Sequence, residues 1–120
     1  MNAETNKITD LRFLYKFTGG DKVKMERYIN MFIHFAPAYL EKMEKCANEK
    51  NWEGLFICTS LMKSQLVYMG MKSQENLEII VENLKLKKPS SSKVKECLAV
   101  LRINLSLALE ELKAYPLSNA

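Results

Sequence analysis

Apolar residues recur at spacings of three and four along almost the whole chain, and this spacing constrains the fold more than any other feature of the sequence. It is the period of an α-helix that buries one face. Glycines and prolines fall mostly between the periodic segments, where they separate one helix from the next. The sequence therefore predicts an all-α protein.

The first two predicted helices have clear boundary signals. The first begins near Thr9 or Asp10, either of which can cap it, and ends at Thr18-Gly19-Gly20. Asp21 caps a long second helix, which Pro37 should kink. The apolar stripe of this helix comprises Met25, Tyr28, Ile29, Phe32, Ile33, Ala36, Leu40, Met43 and Ala47.

Three more helices follow. The third spans 52–69 and stops at Gly70, the fourth spans 72–86, and the loop 87–92 offers a serine cap to the last. Their predicted core residues are Leu55, Thr59, Met62, Leu66 and Met69 in the third, Leu77, Ile80, Val81 and Leu84 in the fourth, and Val94, Leu98, Leu101, Leu105, Ala108 and Leu112 in the last.

Four long helices of about 15 to 28 residues with short connections favour an antiparallel four-helix bundle, with the short first helix across one end. A chain of 120 residues is the size of one domain. We expect the bundle to occupy 8–115, between a disordered N-terminal segment, 1–7, and a frayed tail, 116–120.

Composition excludes several classes of function. The net charge of +4 is modest, and the one basic cluster, Lys85, Lys87 and Lys88, indicates a solvated loop rather than a nucleic-acid site. No apolar run approaches the roughly 20 residues that cross a bilayer, and the polar N-terminus lacks a secretory signal. The three cysteines have no metal-site spacing. We expect a cytoplasmic protein with reduced thiols and no cofactor or metal.

A series of landmark residues runs through the chain in the order Asp10-Leu11, Leu14, Gly19-Gly20-Asp21, Phe32, Pro37, Leu40, Trp52, Thr59, Met62-Lys63 and Met69-Gly70. In this order and spacing the chain resembles the histidine phosphotransfer (HPt) domain family over roughly residues 8 to 84, and the last helix is consistent with the family's final one. The resemblance implies an HPt-like bundle in two-component phosphorelay signalling.

The third helix departs from the family at one decisive position. The family pattern is a small residue, a histidine, two residues, a lysine and a small residue; here these map to Thr59, Ser60, Lys63 and Ser64. An imidazole can accept a phosphoryl group and pass it on, whereas a serine hydroxyl needs a neighbouring base and forms a stable ester. The sequence shows no such base one turn away, so we expect a binding module rather than an enzyme.

The same helix predicts a docking site for a protein. Ile57, Leu61, Ser64 and Val67 surround Ser60, off the core stripe. We expect Phe56 to be covered by the first two helices. Lys63 is interpreted either as a solvated lysine or as a contact for an acidic pocket. The resemblance implies that the partner is a response-regulator receiver domain or a hybrid histidine kinase.

Two alternatives stay open. The only histidine, His34, could carry the phosphoryl group instead of a residue at position 60. However, the helical period turns His34 away from the core, and it lies on another helix. The chain could also be a scaffold that self-associates, as a weak homodimer, through the apolar third helix or the heptad-like last helix.

Overall fold

The computed structural model describes residues 7–115, and this part of the chain folds into helices without any strand, as the sequence predicts. The helices are α1 (Arg12–Phe17), α2 (Lys22–Asn48), α3 (Trp52–Tyr68), α4 (Gln74–Leu84) and α5 (Ser91–Lys113). The predicted tail, 116–120, lies outside the described residues, as does the predicted disordered segment apart from Lys7. Within the described range, no helix is both long and apolar enough to cross a membrane.

Polar side chains define where three of the helices begin. Asp21 accepts hydrogen bonds from the backbone N–H groups of Val23 and Lys24, which confirms it as the cap of α2. Ser90 caps α5 by accepting from Lys93 N. Asn51, which was not predicted as a cap, caps α3 in the same way by accepting from Gly54 N.

Two helices are shorter than predicted. α1 begins at Arg12, two residues after Asp10. Asp10 lies in the segment before the helix, and its carboxylate accepts a hydrogen bond from Arg12 N at 3.0 Å. α4 begins at Gln74 and has 11 residues, below the expected range. The hydroxyl of Ser73 does not cap it, because Ser73 is buried and its Oγ accepts from Asn104 Nδ2 at 2.8 Å.

The long helices enclose one core. α2 packs against α3 and α5, α4 packs against the same two helices, and α1 contacts α3. The predicted stripes of α3 and α5 are buried in full, as is most of the α2 stripe; α2 continues through Pro37. The four long helices all contribute buried residues to this core, among them Phe32, Met43, Leu55, Leu66, Leu77, Leu101 and Ala108.

The register between α2 and α3 determines which side chains meet on the outer surface. At one end, the rings of Tyr28 and Tyr68 lie 5.3 Å apart between centroids. At the other end, Gly54 lies against Cys46, where a Cβ would stand 2.9 Å from the sulfur. The two helices therefore run in opposite directions, and the middle of α2, near Phe35, lies level with the middle of α3, near Leu61.

Candidate docking surface

Ser60 is exposed on α3, and its hydroxyl is bonded within its own helix. Its Oγ donates to the carbonyl oxygen of Phe56 at 2.9 Å, the usual bond of a helical serine to the preceding turn. Among residues 7–115, no acid or imidazole accepts a hydrogen bond from this hydroxyl. In this geometry the hydroxyl is engaged by a backbone carbonyl and not by a side chain that could act as a general base.

Lys63 is bound to a partner on the neighbouring helix. Its ammonium forms an ion pair with the carboxylate of Glu78 on α4, and both side chains are about half exposed. Neither sequence interpretation of Lys63 anticipated a salt bridge between α3 and α4. The cation is thus held toward α4 rather than standing alone beside Ser60.

The predicted apolar residues around Ser60 are largely open. Ile57 is 54% exposed and Leu61 is 48% exposed, Ser64 is exposed, and Val67 is half-buried. The expectation that Phe56 is covered is wrong, because it is 48% exposed. α1 contacts the other end of α3, about three turns from Phe56, and cannot reach it.

Aromatic side chains of α1 continue this apolar surface. The ring of Tyr68 lies 5.2 Å from that of Phe17 and 6.0 Å from that of Phe13 between centroids. Both phenylalanines keep about half of their surface exposed. Since Tyr68 follows Leu61 and Ser64 along the same outer face of α3, this face leads from Ile57 to the aromatic residues of α1, with Ser64 as a polar residue on the way.

α2 supplies the third side. Met31 and Phe35 are 39% and 46% exposed and lie one turn apart on α2. Phe35 follows Tyr28, whose ring meets that of Tyr68, by two turns, so the pair lies level with the middle of α3 and borders its outer face. We call the whole patch the docking surface. It consists of Phe13, Phe17, Met31, Phe35, Ile57 and Leu61, with Ser60 and Ser64 among them.

Two lysines lie at the α2 edge of the docking surface. Lys24 precedes Met31 by seven residues, and Lys42 follows Phe35 by seven, so both lysines lie on the same face of the helix as the apolar pair. Both are exposed. An apolar centre with a basic edge is complementary to a partner that has an apolar patch and an acidic rim.

The other reactive side chains are His34 and the cysteines. His34 is exposed on α2, as its position relative to the core stripe predicts, and it lines a shallow surface pocket together with Met31 and Phe35. Burial raises the pKa of the Cys97 thiol and that of Cys46, the latter further through Cys58 and Glu49. Cys46 and Cys58 are half-buried, and Cys97 is buried. Over the described part of the chain, no three metal-binding side chains come together.

Part of this surface was not identified from the sequence. Phe13, Phe17 and Phe35 had a visible signal, since they are aromatic residues outside the predicted core stripes. Glu78 had none, because the ion pair joins two helices whose faces are related only by packing. Searches against protein-family models, curated proteins and solved structures found no match for this chain.

Proposed function

We propose that this protein is an HPt-like, antiparallel four-helix docking module that binds a response-regulator receiver domain and does not carry phosphate. The observation that supports this proposal best is the docking surface, which surrounds the position where the HPt resemblance places the phosphoryl-accepting histidine. An open apolar patch built from three helices is typical of a surface that binds another protein.

The chemistry at Ser60 supports binding without phosphotransfer. The hydroxyl is engaged by the Phe56 carbonyl, and the nearest cation on the helix, Lys63, is engaged by Glu78. The lysines at the α2 edge suit the acidic pocket of a receiver. In this proposal the protein is cytoplasmic and occupies a receiver that would otherwise meet a working phosphotransfer protein or a hybrid histidine kinase.

The proposal is tested by measuring the affinity of the full chain for receiver domains encoded in the same genome, by calorimetry. We expect one receiver to bind, and we expect Leu61→Asp to weaken that binding by at least about tenfold, because it places a charge in the centre of an apolar contact.

Ile103→Asp is the matched control. Ile103 is 62% exposed on α5, a helix that contacts α2 and α4 but contributes nothing to the docking surface. Its replacement adds the same charge and should leave receiver affinity unchanged. The proposal fails if no receiver binds, or if the two variants weaken binding equally.

A further inference from the structure

Lys63 is the only cation on α3, and Glu78 engages it. The sequence of α3 contains two charged residues, Glu53 and Lys63. The ammonium of Lys63 lies one helical turn from Ser60, where it would be the natural ligand for an anion brought to that position. In the structure it faces the carboxylate of Glu78 on α4 instead.

This pairing changes what an approaching phosphoryl group meets. A phosphoryl group is stabilised by cations and by hydrogen-bond donors. At this position the hydroxyl of Ser60 already donates to Phe56, and Lys63 already pairs with Glu78. To contact the phosphoryl group, Lys63 must leave its partner, and the carboxylate that remains nearby repels the added negative charge.

We propose that Glu78 is a specificity-determining residue that makes the docking surface select the unphosphorylated form of its receiver. The inference rests on the proposed function, because it takes a receiver domain as the partner and places its phosphorylated aspartate opposite Ser60. The protein then binds resting receivers more tightly than phosphorylated ones.

The size of the effect follows from the exposure of the pair. Both side chains are about half open to solvent, with exposures of 45% and 48%. Exposed ion pairs are weak and screened by salt, so Glu78 contributes a selectivity of about two- to fivefold in Kd rather than an absolute choice.

The test compares one receiver in two states against two forms of the full chain. The Kd is measured with Mg²⁺ alone and with Mg²⁺ plus beryllium trifluoride, which mimics the phosphorylated aspartate. We expect the unmodified chain to bind the Mg²⁺ form more tightly. In Glu78→Gln, the ratio of the two Kd values should shift by about two- to fivefold toward the beryllium trifluoride form.

Glu75→Gln is the matched control, since Glu75 is exposed on the same helix, forms none of the ion pairs seen between residues 7 and 115, and loses the same charge. Adding Lys63→Gln to Glu78→Gln should abolish the shift, because the released cation is then absent.

The outcomes separate this inference from the proposed function. The inference is overturned, while receiver docking stands, if the unmodified chain prefers the beryllium trifluoride form. It is also overturned if the Kd ratio is the same in Glu78→Gln as in the unmodified chain or in Glu75→Gln. Absence of binding in both receiver states overturns the proposed function itself.

Discussion

At the scale of single residues, the neighbours Thr59 and Ser60 have opposite environments. Thr59 is fully buried in the core, and within residues 7–115 no group forms a hydrogen bond with its Oγ1. Ser60 is exposed and its hydroxyl is bonded to Phe56 O. A buried hydroxyl without a partner has lost its bonds to water and gained nothing in exchange. The core therefore carries a polar atom that reduces its stability.

We expect Thr59→Val to raise the free energy of unfolding by about 1 kcal/mol, because the methyl group that replaces the hydroxyl has nearly the same shape and needs no partner. Urea unfolding followed by circular dichroism measures the change. Ser60→Ala serves as the comparison, and we expect it to change stability by no more than about 0.5 kcal/mol. A loss of stability in Thr59→Val would show that the hydroxyl has a partner in solution.

At the scale of elements, one close backbone approach attaches α1 to the end of α3. Asp10 N donates to Met69 O at 2.9 Å, immediately before Gly70. Gly70 has a φ of +60°, and a Cβ built there would lie 2.1 Å from Asp10 O. A glycine is needed here for two reasons: the backbone is left-handed, and Asp10 occupies the space that a side chain would fill. This contact places Phe13 and Phe17 beside Tyr68.

Gly70→Ala should lower the free energy of unfolding by about 2 kcal/mol or more, since it adds a steric clash with Asp10 to the cost of a left-handed alanine. Gly19→Ala is the matched control: Gly19 has a φ of +65°, yet no atom lies within 4 Å of its added Cβ. We expect it to cost only about 1 kcal/mol. Equal losses in chemical denaturation would contradict the packing of Asp10 on Gly70.

At the scale of the whole molecule, Glu111 ties the beginning of the described chain to its last helix. Its carboxylate accepts hydrogen bonds from Ile8 N at 2.8 Å, Thr9 N at 3.0 Å and Thr9 Oγ1 at 2.7 Å. Burial raises the pKa of Glu111, but these hydrogen bonds, with a smaller effect of Lys7, outweigh it and hold the pKa below its ordinary value. Ionised Glu111 therefore stabilises the folded chain.

The sign of the pH dependence follows from this lowered pKa. The stabilisation by Glu111 is complete above the ordinary carboxyl pKa of 4.5 and is lost as the pH falls through the lower pKa of the folded state. We expect Glu111→Gln to reduce the free energy of unfolding by about 1 kcal/mol at neutral pH. Denaturation curves recorded from pH 7 to pH 3 should show the two proteins converging below about pH 4.5.

Glu110→Gln is the control for this measurement, because Glu110 is exposed on α5 and its carboxylate accepts none of these bonds. Its stability should follow that of the unmodified chain at every pH. A constant difference between Glu111→Gln and the unmodified chain down to pH 3 would contradict the role of the ionised carboxylate.

Much of the fold could be predicted from local signals. The period of apolar residues identified the buried face of α5 from Val94 to Leu112. Asp21 was predicted as the cap of α2, and a serine of the loop 87–92 as the cap of α5, because a cap needs only its own helix. The start of α4 was predicted less well from local signals. α4 begins at Gln74, two residues later than predicted, and Ser73 just before it bonds Asn104 on α5 and does not cap the helix.

The candidate site was predicted in part for the same reason. Ile57, Leu61 and Ser64 share the outer face of α3 with Ser60, and helical periodicity alone places them together. Phe56 was assigned to a covered position because the sequence does not say which end of α3 meets α1. The three aromatic contributions from α1 and α2, and the Glu78 carboxylate, depend on how separate helices pack.

The sequence by itself determined that the chain is helical, which faces are buried, and that a serine stands at the centre of the outer face of α3. These properties depend on spacings within one helix. Only the tertiary structure decided that Phe13, Phe17 and Phe35 join that face, that Glu78 engages Lys63, and that Gly70 leaves room for Asp10. The physical reason is that these contacts depend on the register between helices, which is set by the packing of the whole core.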